Sequence, residues 1–562
     1  GMDQDEGVYQ VKALGYILGY NDNYYNFEEY EKLDGGQQTE YEDLLFDNVA
    51  GFNFALEKEN VEDYQGIAGT FHGIHTYSAL LALTGVIAGY KNMSILGSMV
   101  LVLNIFLLWY TMENLKINHT FKILGTVVYA LSPIILWQSK STLVEIVAAL
   151  IVLVYLYIMT LPDKEQCWLA WIPIVIFSVM HITVYVFIPM FILIFWFLFF
   201  YSGNRRYMLA SILSVTGYWC GFQMMYHSSM PYTQGNYKQL YIGPVNAENI
   251  QIFVSIVCIT AVVCTVVFMD VPWKRIKLTE KFVNTAIRIA AAAGMAGVIY
   301  VFWHKHFPAT YLTVYSYLLS SAYIFFTAII LTMVFKPMVF AENEHRIVLL
   351  GIFLYSVIIF SIGFIWELAY YYYYGRYTVP YISVVIILGA VCLSEFQKTE
   401  GGSFLKKGCA VFIGVFLIVM FPCISTVVSQ QDQTRVQWQT MQKVAEKIPE
   451  NAAVIVSEKT AMVMMVPLKM LTGADVYIQK GTQLDIYKDI SSYYEEIYVV
   501  GFDTDYSESD SLNTIYTGTE KGQEDVTVPD GVKCTSAADL IPYGRDFQVK
   551  WHTIRLYRWK QA

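Results

Sequence analysis

The sequence predicts a polytopic α-helical membrane protein that carries a small α/β domain near its C-terminal end, outside the bilayer. Three observations predict it. Apolar residues fill 56% of the 562 positions and charged residues only 15%, a balance too apolar for a soluble globule. Segments of about 20 mostly apolar residues recur along the chain, the length at which a helix satisfies its own backbone while crossing hydrocarbon. Past residue 430 the composition turns polar and the apolar residues fall in short alternating runs.

Twelve spans are expected, near 93–113, 122–138, 143–161, 167–182, 183–201, 206–225, 250–269, 282–303, 312–335, 346–367, 377–396 and 408–428. The run from Trp168 to Phe200 is too long for one helix and is divided at His181, where a polar residue and Thr183 mark a return to the surface. The stretch from Tyr77 to Tyr90 is too short to cross and reads as a helix lying in the interface.

Orientation follows from the basic residues of short loops. Lys116 and Lys122, Arg205 and Arg206, Lys274 to Lys281, Lys336 and Arg346, and Lys398 to Lys407 fall in alternate loops, which are therefore cytoplasmic. The N-terminal segment, the loop from Tyr226 to Asn249, the turn at His304 to His306, the Tyr370 to Arg376 corner and the tail from about 430 then lie outside. An outer N-terminal segment without a leading span predicts a further helix before residue 1, which would make thirteen. The expected divisions are a first outer loop with interfacial helices over 1–92, a transmembrane core over 93–429 and an extracytoplasmic α/β domain over 430–562. In that last part a helix is expected over 435–447, strands over 453–457, 496–500 and 551–559, and an apolar helix over 460–471.

The net charge of −10 gathers in the polar ends, which argues against a nucleic-acid partner. The eight cysteines show no CxxC pair and suggest neither a disulfide framework nor a zinc cluster. With 44 Tyr, 34 Phe and 12 Trp, the chain is rich in the side chains that gather at membrane interfaces and in sugar or lipid clefts. A glycine-rich phosphate loop and a GxSxG elbow are both absent.

Candidate chemistry lies near the outer ends of the segments. Asp3, Asp5 and Glu6 precede the apolar periodicity of Val11, Leu14, Ile17 and Leu18, so carboxylates stand just before an amphipathic helix. Adjacent acids can divide the work of base and orienting partner; the same pattern suits a helix N-terminal cap. Glu145 falls in the first turn of a hydrophobic helix after Ser139-Lys140-Ser141-Thr142, where a carboxylate is costly unless paired or facing water. A salt bridge to Lys140, or a carboxylate complementing the helix dipole, is the plainer account. Arg376, in Gly375-Arg376-Tyr377 with Pro380, suits either a bidentate phosphate contact or an interface anchor. His72 and His181 are candidates for substrate or metal contact, although only His304-Lys305-His306 approaches metal spacing.

In order and spacing these features resemble the multispanning GT-C glycosyltransferases, in particular the group of protein O-mannosyltransferases and lipid A aminoarabinose transferases. Asp5-Glu6-Gly7-Val8-Tyr9 with Ala13 is similar to that family's first outer loop, and Phe71-His72-Gly73-Ile74-His75-Thr76-Tyr77 to its juxtamembrane helix. Leu131-Ser132-Pro133 through Trp137, Ser139 and Glu145 looks like its third and fourth helices, and Gly375-Arg376-Tyr377 with Pro380 like a motif at a late helix mouth. The acidic insertion from Tyr20 to Asp63 and the domain after 430 depart from the pattern and leave the acceptor open.

The resemblance implies an inverting transfer at the outer face from a polyprenyl-phosphate sugar donor to a lipid, protein or glycan acceptor. Asp5 would be the general base, Glu6 its companion and Glu145 a further acid of the site. Arg376 and Lys140 would hold the donor phosphate. No cofactor is required, and room is left for a divalent cation. The rival expectation is a flippase, polymerase or transporter of lipid-linked glycans. Polar residues buried mid-helix would mark a transporter, whereas here the charges gather at the outer mouths. A bacterial plasma membrane fits better than an endoplasmic reticulum, because the outer domain holds one cysteine and no retention signal is visible.

Overall fold

In the computed structural model the described residues are 4–18, 34–36, 75–181, 184–228, 233, 249–270, 284–293, 322–363, 371–398, 407–408, 411, 433–457, 468, 471–479, 491, 494–502, 511–526 and 547–560. Apolar side chains with helical spacing build most of them into helices. The chain opens with α1 (Gln4–Leu18), which packs along α2 (His75–Ala88). Residues 9, 10, 13 and 14 face inward, so Tyr9, Gln10, Ala13 and Leu14 are buried, the stripe that 3.6 residues per turn produces. The Tyr9 and Tyr77 rings meet edge to face at 5.1 Å, and Tyr16 Oη hydrogen-bonds His75 Nδ1 at 2.9 Å. The short apolar stretch is thus a helix held against α1.

Next come α3 (Ile95–Asn114), α4 (His119–Ala130), α5 (Pro133–Gln138), α6 (Glu145–Met159), α7 (Trp171–Met180), α8 (Val184–Ser202), α9 (Arg206–Ser228) and α10 (Ile250–Asp270). They are followed by α11 (Tyr323–Phe335), α12 (Glu344–Gly363) and α13 (Tyr371–Gln397). Helix α6 sits at the centre, packed against α3, α7 and α13. It is apolar all round after Glu145 and buried along most of its length, as a helix surrounded by others must be.

Among the described residues three helical segments are long and apolar enough to cross a membrane, Ile95–Asn114, Ile250–Asp270 and Thr378–Gln397. Other apolar helices are shorter. At 15 residues, α6 extends only about 22 Å, less than the roughly 30 Å of a hydrocarbon core. The span expected over 122–138 is divided: α4 ends at Ala130 and α5 begins at Pro133, because proline lacks the N–H that would continue the ladder and fits the first position of a new helix. The expected division at His181 agrees with α7 ending at Met180 and α8 beginning at Val184. The spans expected over 282–303 and 408–428 lie mostly outside the described residues.

One end of the bundle is laced by ion pairs. Lys122 pairs with Glu113; Lys164 reaches Glu344 at 3.0 Å and Tyr207 Oη donates to the same carboxylate at 2.6 Å. Arg346 bridges Glu342 at 2.6 Å and Glu395 at 2.8 Å. His345 meets the Met159 carbonyl oxygen through Nδ1 at 2.6 Å, and desolvation lowers its pKa from the ordinary histidine range. Lys122 and Arg346 are among the basic residues that predict the cytoplasmic side, and their partners lie in or beside the ends of the adjoining helices.

The C-terminal part contains α14 (Gln433–Ala445) and strands β1 (Ala453–Ser457), β2 (Asp475–Gln479), β3 (Ile497–Phe502), β4 (Leu512–Val526) and β5 (Phe547–Trp559). They form one sheet of order β2-β1-β3-β5-β4. β1 pairs in parallel with β2 and β3, and β5 runs antiparallel to β3 and β4. α14 packs against β4, and Val454, Ile455, Val499, Val500, Ile554 and Leu556 are fully enclosed. The three expected strands form; β2 and β4 add two more. Most of the apolar helix expected over 460–471 lies outside the described residues.

Gly97 allows α3 to press on the loop before α6: a Cβ there would stand 2.5 Å from the Ser139 carbonyl oxygen. Gly97→Ala is therefore expected to lower stability by about 1–3 kcal/mol, read from the thermal unfolding midpoint in detergent. Met99→Ala on the outward side of α3, where Met99 is 60% exposed, should stay within about 0.5 kcal/mol.

Candidate functional site

At the end of the bundle opposite the ion pairs, the chain leaves α5 at Gln138 and enters α6 at Glu145. The loop between them is polar in sequence and buried in the fold. Gln138, Ser139, Ser141, Thr142, Leu143 and Val144 are all enclosed, and Lys140 alone in that loop is exposed. Backbone in such surroundings needs partners, and three helices supply them. From α1, Gln10 Nε2 donates to Thr142 Oγ1 at 2.6 Å. From α2, Tyr77 Oη donates to the Leu143 carbonyl at 2.9 Å. From α3, Ser98 Oγ donates to the Ser139 carbonyl at 3.3 Å, while Asn104 Nδ2 donates to the Ile146 carbonyl at 3.2 Å. Within the loop, Ser141 Oγ donates to the Gln138 carbonyl at 2.9 Å and lies 3.3 Å from Gln138 Oε1.

This clamp fixes the first turn of α6. Glu145 is completely buried there, and His181 Nε2 stands 3.8 Å from its Oε1. The histidine is itself 5% exposed. It ends α7 in an extended conformation, with its N–H bonded to the Phe177 carbonyl at 3.0 Å. A carboxylate removed from water costs several kcal/mol unless charge or hydrogen bonds compensate it. An imidazole at this distance supplies a cation when protonated and a dipole when neutral.

The candidates from sequence thus divide. Glu145 and His181 come together. Lys140 is exposed and makes no ion pair among the described residues, so a salt bridge from Lys140 is not what accompanies the Glu145 carboxylate. Asp5 and Glu6 stand in the first turn of α1, with Glu6 one turn before Gln10; their side chains lie outside the described residues. Arg376 belongs to the first turns of α13, which packs against α6, and its side chain likewise lies outside them. Asp3 and His72 fall outside entirely. No group of three His, Cys, Asp or Glu side chains among the described residues is arranged to hold a metal ion, so the room left for a divalent cation gains no ligand set there.

Sequence reasoning passed over Gln10, Tyr77, Thr142 and Gln138. A signal existed for two of them: Gln10 interrupts the inward stripe of α1, and Gln138 closes the apolar run from Ile134 to Trp137.

The Glu145 and His181 side chains are expected to be energetically coupled. His181→Leu should destabilise the protein by more in the wild-type background than in Glu145→Gln, with a coupling of at least about 0.5 kcal/mol in a double-mutant cycle of thermal unfolding. Additive effects would mean that the two groups do not sense one another.

No family model matches the chain, and no curated protein matches it. Among solved structures it is similar to the crystal structure of ArnT from Cupriavidus metallidurans in the apo state, with a TM-score of 0.39 and 12% sequence identity over 83% of this chain and 91% of that one. ArnT is a lipid A aminoarabinose transferase of the GT-C fold.

Proposed function

We propose that the chain is an integral-membrane glycosyltransferase that moves a sugar, with inversion, from a polyprenyl-phosphate-linked donor to an acceptor hydroxyl at the outer face of the membrane. The observation that carries the reading is the buried Glu145 carboxylate beside His181, directly after a polar loop that is hydrogen-bonded to the helix whose first turn contains Asp5 and Glu6. Such a carboxylate in a bundle of apolar helices marks a functional group rather than a packing element. Its place at a helix mouth suits chemistry at the interface.

In this reading Asp5 takes the proton of the acceptor hydroxyl as that oxygen attacks the anomeric carbon. The bond from that carbon to the phosphate oxygen breaks, and the electron pair leaves with the lipid phosphate. A phosphate is already a good leaving group, so cations that gather its charge matter more than an acid that protonates it. Arg376 and Lys140 take that part. Glu6 orients the base, and Glu145, steadied by His181, holds a sugar hydroxyl.

Asp5→Asn in the full-length protein is expected to cut transfer by at least about 100-fold, the usual worth of a general base, with donor binding kept. Full activity in this variant, in a membrane assay with radiolabelled lipid-linked sugar, would sink the assignment. Arg376→Ala should weaken polyprenyl-phosphate binding by about 10-fold or more, the loss of one charge-assisted contact; a titration in detergent with unchanged affinity would remove Arg376 from the phosphate site.

A further inference from the structure

The Gln138 side chain is fully buried, and its Nε2 amide nitrogen has no hydrogen-bond partner among the described residues. Leaving an amide donor so is expensive, and buried polar groups in native folds are nearly always satisfied. Nothing in the scaffold requires this one. Its neighbour Ser141 Oγ already donates to the Gln138 backbone carbonyl at 2.9 Å, so an apolar side chain of the same length would serve the packing better. The other end of the amide is oriented, with Oε1 3.3 Å from Ser141 Oγ. The residue sits at the end of α5 where the clamped loop begins, and that loop leads directly to Glu145.

We propose that Gln138 is a specificity-determining residue whose Nε2 donates a hydrogen bond to a hydroxyl of the transferred sugar. The inference rests on the glycosyltransferase reading and adds to it the residue that recognises the sugar half of the donor. A site built to hydrogen-bond a hydroxyl discriminates strongly against a ligand that lacks it, because its own buried donor is then unpaired. In the sugar-free protein the same donor is a cost carried by the fold. Binding removes that cost, and so the residue acts on the sugar and leaves the lipid phosphate untouched.

The test measures binding of a panel of decaprenyl-phosphate hexoses and pentoses, with decaprenyl phosphate as the sugar-free control, to the full-length protein in detergent. Gln138→Leu and the unbranched Gln138→Met are compared with wild type, together with their ligand-free unfolding temperatures. Both variants should unfold at a temperature no lower than wild type. Affinity for the sugar-bearing lipid that wild type holds tightest should fall by about 3–10-fold, the worth of one neutral hydrogen bond, and affinity for decaprenyl phosphate should be unchanged. Equal loss on both ligands would make Gln138 a structural residue and overturn the proposal. Unchanged affinity for both would overturn it too, leaving a buried water as the partner of Nε2. If wild type binds no sugar-bearing lipid at all, the glycosyltransferase reading itself falls, and the proposal with it.

Discussion

The buried carboxyl group of Glu145 is the constraint around which its end of the bundle is organised. The rest of α6 is apolar, and a carboxylate at its head is tolerated only because the surroundings are built for it. Gln10, Tyr77, Ser98 and Asn104, from three different helices, each spend a hydrogen bond on the backbone or side chains beside it. His181 arrives from a fourth element at 3.8 Å. Without this clamp the loop from Gln138 to Val144 would hold buried carbonyls and amides with no partners. The fold would then favour exposing it, and the carboxylate would return to water.

The two ends of the bundle handle charge in different ways. At the predicted cytoplasmic end, carboxylates meet lysine or arginine directly, as in Lys164 with Glu344 and Arg346 with Glu395. These pairs join segments distant in sequence and act as fasteners. At the opposite end an imidazole stands beside the buried acid, and much of the surrounding polarity is neutral amide and hydroxyl. Neutral donors and acceptors suit the recognition of a polyol, since they bind hydroxyls without imposing a fixed charge.

Hydropathy made much of the helical architecture readable, whereas the proline-marked break at Pro133 was missed. Ser132-Pro133 carries a local stop signal, yet the apolar run on both sides of it looks continuous to a hydropathy window. The sheet was partly legible. β1, β3 and β5 show alternating or β-branched runs, whereas β4 contains Glu520, Lys521, Gly522, Glu524 and Asp525 and is held in place by pairing along the length of β5; a pairing of that kind is a long-range property. Glu145 and His181 were each suspect as polar residues in apolar neighbourhoods. Their adjacency depends on how α6 and α7 pack, which no local pattern encodes. The clamp residue Tyr77 looks ordinary in sequence for the same reason.

Helix α3 has a consequence for how this sequence can drift. Ile95, Met99, Val102, Leu103, Phe106 and Tyr110 form one exposed stripe; in a bilayer such a stripe touches hydrocarbon, where one greasy side chain is nearly as good as another. On the opposite side Gly97 touches the Ser139 carbonyl and Asn104 the Ile146 carbonyl, so volume and hydrogen bonding are both fixed. A single helix therefore carries two mutational clocks, a fast one facing lipid and a slow one facing the loop that leads to Glu145. Residues that never touch a substrate, such as Gly97, would on this account vary as little as those that do.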